Sequence, residues 1–248
     1  PLKIHSLHSE IRQDTQGKKM SLSATSLKWQ LEKLSKATEL NDISVYWEKA
    51  KDVDSIKHAG IKASDIDLAL VEQLAIQFPL PKDISDFIRN YQPVGQLKDL
   101  DASWNADTSK LPFDITLPGF NKSHYKLEFK FSNLSLKPEK KGLLSASNLN
   151  GKIYATELGG KLNISGKNTS LILPGFLEND SLSFDRSEGR IEWEKNRETF
   201  KYLAKGMYLE NSDLALNFDA EYSPATKKSS ELLNIKGKIN RAEVNKIT

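Results

Sequence analysis

From Gly95 onward, apolar and polar residues alternate along one segment after another, and this period of two constrains the fold more than any other feature of the chain. Leu214, Leu216, Phe218, Ala220 and Tyr222 form the longest clean run. Tyr125, Leu127, Phe129 and Phe131 form a second, with Lys126, Glu128 and Lys130 between them. Phe113, Ile115 and Leu117 alternate up to Pro118-Gly119. Further strand-like pieces are Ile153 to Leu158, Leu162 with Ile164, Leu171 to Leu173, Leu182 with Phe184, Ile191 with Trp193, Phe200 to Tyr208, and Leu233 to Ile239. A strand with this pattern turns one row of side chains to each face of its sheet. The apolar face has to be covered somehow, by a second sheet, by barrel closure, by helices, or by a ligand. Few helical patterns follow Gly95. The expected fold is mainly β: a large twisted or curled antiparallel sheet, groove-like or sandwich, with one or two short helices.

The first ninety residues read as mixed. Ser21 to Trp29, Ile43 to Trp47 and Ile66 to Leu70 look like short strands, with Ser64 to Phe78 alternatively part-helical through Leu70, Leu74 and Phe78. Lys82 to Tyr91 is the best helix: Ile84, Phe87, Ile88 and Tyr91 share a face, Pro81 precedes it and Pro93 ends it. The expected division is a mixed part over 1–92 and a β-meander over 93–248. Gly159-Gly160 marks a hairpin. Gly151, Gly189 and Gly237 open loosely similar units and read as glycines at turns or bulges before new strands.

Composition narrows the chemistry. The 248 residues begin at proline, which suggests a piece of a longer protein, and 38% of them are hydrophobic. The longest apolar run, Leu171 to Leu177, contains Pro174 and Gly175, far short of the ~20 residues a membrane helix needs. No secretion signal is apparent. With no cysteine, thiolate metal sites, cysteine nucleophiles and disulfides are excluded. His5 and His8 have helical i, i+3 spacing but lack further ligands, so no metal is expected. No nucleophile elbow, dinucleotide loop or phosphate loop occurs. Asp65 and Asp67 read as exposed strand carboxylates. No cofactor and no catalytic residue are expected.

The net charge of +3 comes from 36 basic and 33 acidic residues, the basic ones mostly lysine. Sequence-specific nucleic-acid readers rely on arginine forks, so no nucleic-acid partner is expected. The basic stretch from Lys122 to Lys141 reads as a charged strand face. Trp29, Trp47, Trp104 and Trp193 lie in strand-like runs and read as packing residues. Five Asn-x-Ser sequons begin at Asn121, Asn133, Asn163, Asn168 and Asn179, several of them in or beside strands where a glycan would be awkward.

The order of several short motifs resembles the central region of AsmA-like proteins of the YhdP family. They are Pro93-Val-Gly95 through Trp104, Phe131-Ser-Asn-Leu134 through Pro138, Asn148-Leu-Asn-Gly151, Gly159-Gly-Lys-Leu162, Leu171-Ile-Leu-Pro174, Gly189-Arg-Ile-Glu-Trp193, and Leu233 through Ile247. The resemblance runs from about Lys82 to the end. It implies the periplasmic portion of a very long, inner-membrane-anchored protein of Gram-negative bacteria. Its β-rich body would resemble curled-sheet lipid carriers, deliver phospholipid toward the outer membrane, and carry no catalytic motif. The implied partners are phospholipid, neighbouring segments of the same long chain, and other envelope proteins. Leu127, Phe129, Phe131, Leu171, Leu173, Leu214, Leu216 and Phe218 are the candidate lipid-binding face. The alternative is a structural or protein-interaction β module whose edge strands recruit partners without lipid.

Overall fold

A computed structural model describes residues 2–13, 19–31, 38–49, 56–70, 82–108, 125–138, 142–172, 181–196, 199–226 and 229–243. Among the described residues twelve strands follow one another: β1 (Leu2–Gln13), β2 (Lys19–Leu31), β3 (Thr38–Lys49), β4 (Ile56–Asp67), β5 (Val94–Thr108), β6 (Tyr125–Leu136), β7 (Ser145–Thr156), β8 (Gly159–Ile172), β9 (Ser181–Asn196), β10 (Thr199–Glu210), β11 (Leu214–Ser223) and β12 (Leu232–Ala242). Helix α1 (Lys82–Tyr91) lies between β4 and β5. The strands make one antiparallel sheet in sequence order, with β1 and β12 at its two ends. The sheet is mainly β as the alternation requires, and neither a two-sheet sandwich nor a closed barrel. Two compact units are built on it, residues 1–89 with 96–129, and residues 90–95 with 130–248.

The first ninety residues are far richer in strand than their sequence suggests. His5 and His8 lie on strand β1, so helical spacing does not relate them. Ile66 and Asp67 end β4, but Leu68 to Leu70 are helical, not strand. The Asp67 carboxylate accepts a hydrogen bond from the Ala69 amide at 3.0 Å, an N-cap that turns strand into helix. Cross-strand partners give this unit an apolar face: Met20–Trp47–Ala59–Trp104, Leu22–Val45–Ile61–Ala102 and Ala24–Ile43–Ala63–Leu100. Lys62 faces Asp101 at 3.3 Å and Lys19 faces Glu48 at 3.8 Å on the other side. Helix α1 buries Ile88 and stops where Pro93 follows; the Tyr91 carbonyl accepts from the Lys137 amide at 2.7 Å. The strand expected over Phe113 to Leu117 lies outside the described residues.

In the second unit the expected hairpin at Gly159-Gly160 is present, but its turn is Glu157-Leu158, and both glycines belong to β8. Leu182 through Trp193 lie in one 16-residue strand, Ser181–Asn196, rather than in two short ones. Asn211 shapes the β10–β11 turn: its side-chain oxygen accepts from the amides of Asp213 (3.0 Å) and Leu214 (2.8 Å).

A recurring irregularity runs through these strands. Asp42, Asp99, Asn133, Asn148, Asn168 and Gly206 all have φ between 51° and 59°. Each is the third residue of a four-residue run whose ends are apolar or small: Leu40–Ile43, Leu97–Leu100, Phe131–Leu134, Ala146–Leu149, Gly166–Thr169 and Ala204–Met207. A left-handed residue inside a strand shifts the alternation by one, so side chains three apart share a face. Ala204 and Met207 do so, opposite Ala220 and Phe218 of the regular strand β11. Asn, Asp and Gly hold this conformation at least cost. Neighbouring strands also bind at the bulges: Asn148 donates through Nδ2 to the carbonyl of the next bulge residue, Asn168, at 2.9 Å, and the Asn133 amide donates to Oδ1 of Asn150 in β7 at 3.0 Å. Two of the asparagines in sequons, Asn133 and Asn168, are thus bulge residues. Replacing Asn168 by Val is expected to cost about 1–3 kcal/mol, the usual strain of a β-branched residue at positive φ, while Asn168→Gly stays near wild type. Urea-unfolding midpoints at unchanged slope are the check.

Candidate functional site

The apolar face of the second unit is a ladder read across β7 to β12. Following partners strand by strand gives Ile153–Leu162–Ile191–Ala204–Ala220–Ile235. Toward the Glu157-Leu158 turn runs Ala155–Gly160–Trp193–Tyr202–Tyr222–Leu233, and on the other side Leu149–Gly166–Ser187–Leu209–Leu216–Ile239. Paired residues in an antiparallel sheet project to the same side, so these rows form one surface.

Between them lies a row that sets large side chains against glycines. The Phe131 ring lies over Gly151, Met207 covers Gly189, and Phe218 packs beside Gly237; a Cβ at any of the three glycines would collide with that neighbour. These glycines were expected at turns or bulges before new strands. Instead all three sit within strands, Gly189 opposite the β10 bulge, and their role is to make room for a large cross-strand side chain. The signal was legible as Gly-basic-Ile at Gly151, Gly189 and Gly237, with glycine and isoleucine on the apolar face and Lys or Arg on the other.

Burial is deepest beside the bulges and fades toward the sheet edge. Phe131, Ala146, Phe184 and Met207 are buried, and Thr169, 1% exposed, hydrogen-bonds Ser187 through their hydroxyls at 2.9 Å. On β12 the same face is open: Leu233, Ile235 and Ile239 are 54%, 61% and 67% exposed. Leu216, Phe218, Ile235, Gly237 and Ile239 line an apolar depression of about 410 Å³ there.

The candidate residues divide accordingly. Leu214, Leu216 and Phe218 lie together on this face, half-buried. Leu171 joins it through its partners Ala146 and Leu182. Phe131 is buried and belongs to the packed part. Leu127 and Phe129 are half-buried and fall in the first unit. Leu173 lies outside the described residues. Ile153, Leu162, Ile191 and Ile235 belong to the surface although single-strand alternation did not select them; the register brings them in.

The opposite face is a lattice of ion pairs. Lys205 and Arg190 both meet Glu192, at 2.5 and 3.0 Å, Arg186 meets Glu188 at 2.7 Å, and Lys201 meets Glu221 at 2.9 Å. The hydrogen bond from Lys205, with Arg190 nearby, holds the Glu192 carboxyl below its usual range. Tyr208 donates to Glu210 at 2.8 Å, which raises its phenol, and the Arg186 guanidinium sits 5.3 Å from its ring centre. These exposed pairs order the polar surface and add little stability. In β6, Lys126 pairs with Glu128 at 3.5 Å, so this part of the basic stretch is a balanced strand face.

Among the described residues no group of three or more His, Asp and Glu side chains is placed to hold a metal, and no helix is long and apolar enough to cross a membrane. Neither the curated proteins nor the solved structures contain a match to this chain. A model of the family described as YhdP protein matches residues 2–248, the span that carries both units, and the chain belongs to that family.

Proposed function

We propose that this chain is a lipid-holding segment of a bacterial envelope protein, working in the periplasm as part of a conduit that moves phospholipid between the inner and outer membranes. The observation that carries the reading is the apolar ladder across β7 to β12, which stays open to solvent at β12 instead of closing into a core. Each methylene moved from water onto such a surface gains about 0.8 kcal/mol, so a lipid chain binds without specific polar contacts. Family membership fits an envelope protein. The mechanism is passive, with no catalytic residue and no cofactor; a turnover abolished by one polar substitution would contradict it. Native mass spectrometry of the freshly purified protein tests the proposal directly: co-purified phospholipid is expected, and protein free of lipid overturns it.

The β12 edge of the described sheet favours a second reading, strand addition by a protein partner or by a neighbouring segment of the same long chain. Every residue from Leu232 to Ala242 is exposed, and among the described residues β12 pairs with β11 alone. Lys236 and Lys238 line this edge, where lysines commonly discourage strand-to-strand association. Replacing both by Thr is expected to promote concentration-dependent self-association in sedimentation velocity. Unchanged sedimentation would count against an edge competent to recruit strands.

A further inference from the structure

We propose that the end of the apolar face bearing Trp193, Tyr202 and Tyr222 receives the polar headgroup of a bound phospholipid, with the acyl chains running from there toward Leu209 and Leu214. The proposal rests on the lipid reading above and adds a direction to it. The three aromatic residues are cross-strand neighbours on β9, β10 and β11. The Tyr202 and Tyr222 ring centres are 6.2 Å apart, and Phe200 extends the cluster at 6.5 Å from Tyr202. Both tyrosines are more than a third exposed, and the Tyr222 hydroxyl lies 3.5 Å from Glu231.

The exposed polar groups of this face gather at this end. Lys195, the partner of Phe200, is exposed one step beyond Trp193 on the same side of β9. Inward from Trp193 come Ile191 and then Gly189. Inward from Tyr222 come Ala220, Phe218, Leu216 and Leu214. At the far end this face carries Leu209, Leu214, Leu216 and Phe184, with the Thr169 and Ser187 hydroxyls buried and bonded to each other, and no Tyr or Trp among the described residues. Tyr and Trp combine an apolar ring with a polar tip and concentrate where hydrocarbon meets water, at the level of lipid headgroups. A cation just outside them suits a phosphate. Cross-strand aromatic pairing alone stabilises a sheet at either end, and does not account for a gradient from lysine through Trp and Tyr to aliphatic residues.

The test uses depth-dependent quenching. Trp29, Trp47 and Trp104 are replaced by Phe, which leaves Trp193 as the sole indole. The protein is loaded from phosphatidylcholine vesicles whose acyl chains are brominated either beside the ester or near the terminal methyl, and loading is verified by native mass spectrometry. Quenching by the ester-proximal bromines is expected to be stronger by about twofold or more. Equal or inverted quenching with lipid bound overturns the orientation and leaves the lipid reading intact; no bound lipid overturns both. Should the triple replacement fail to fold, the absence of cysteine allows a second route. A single fluorophore-labelled cysteine is placed at Tyr222 or at Leu214, and the lipid carries a nitroxide on its headgroup. Stronger quenching at position 222 is expected, and equal or stronger quenching at position 214 overturns the proposal.

Discussion

Phe218→Asp is expected to strip most of the bound phospholipid while the protein stays folded. Phe218 is half-buried, paired with Met207 on one side and Gly237 on the other, and forms a wall of the depression that opens at β12. A carboxylate there keeps much of its hydration, so it avoids the penalty of an unpaired buried charge. Bound lipid has no such escape. If the charge displaces roughly three methylenes at about 0.8 kcal/mol each, binding weakens by about 2.4 kcal/mol, or roughly 50-fold. The control is Asn217→Asp on the opposite, polar face of the same strand, between Tyr208 and Lys238, where neither lipid content nor melting temperature should move. Co-purified lipid by native mass spectrometry and melting by differential scanning fluorimetry give the two readouts. A Phe218→Asp protein that is unfolded would show that this wall is core; one that is folded with full lipid content would show that it is not part of the site.

Phe131→Asp is expected to do the opposite and abolish folding. Phe131 is 6% exposed, and its ring fills the space that Gly151 leaves on β7. A carboxylate in that place is taken out of water, which costs several kcal/mol. It also loses the ring itself, worth about 3–5 kcal/mol in Phe-to-Ala replacements. Against a total stability of about 5–15 kcal/mol, the sum leaves little folded protein. Phe129→Asp, two residues earlier at a half-buried position, should fold. Soluble yield and melting temperature separate the pair, and equal behaviour of the two variants would refute the division of β6 into a packed and an open part.

What the sequence determines by itself is the strand content after Gly95 and the polarity of each strand's two faces. Tyr125 to Phe131 and Leu214 to Tyr222 show this most clearly, because alternation is a property of one strand and needs no partner to be seen. It also carries the end of helix α1, where Pro93 cannot continue the helix. Of the first four strands, β2 and β3 showed in part as Ser21 to Trp29 and Ile43 to Trp47, while β1 and β4 were harder to see: β1 mixes His5, Ser6, His8 and Ser9 among its apolar residues, β4 offers only Ala59, Ile61 and Ala63, and their strand state is settled by pairing with β2, β3 and β5. The bulges were hidden for a related reason. Ala-Ser-Asn-Leu at 146–149 and Ala-Lys-Gly-Met at 204–207 look like broken alternation, and only backbone angles show that the break moves the next residue back onto the same face. Register decided the rest. Trp193, Tyr202 and Tyr222 are far apart in the chain, as are Gly151, Phe131, Gly189 and Met207. Which of them meet depends on hydrogen bonds between strands, and a slip of one residue would turn each of these side chains to the other face.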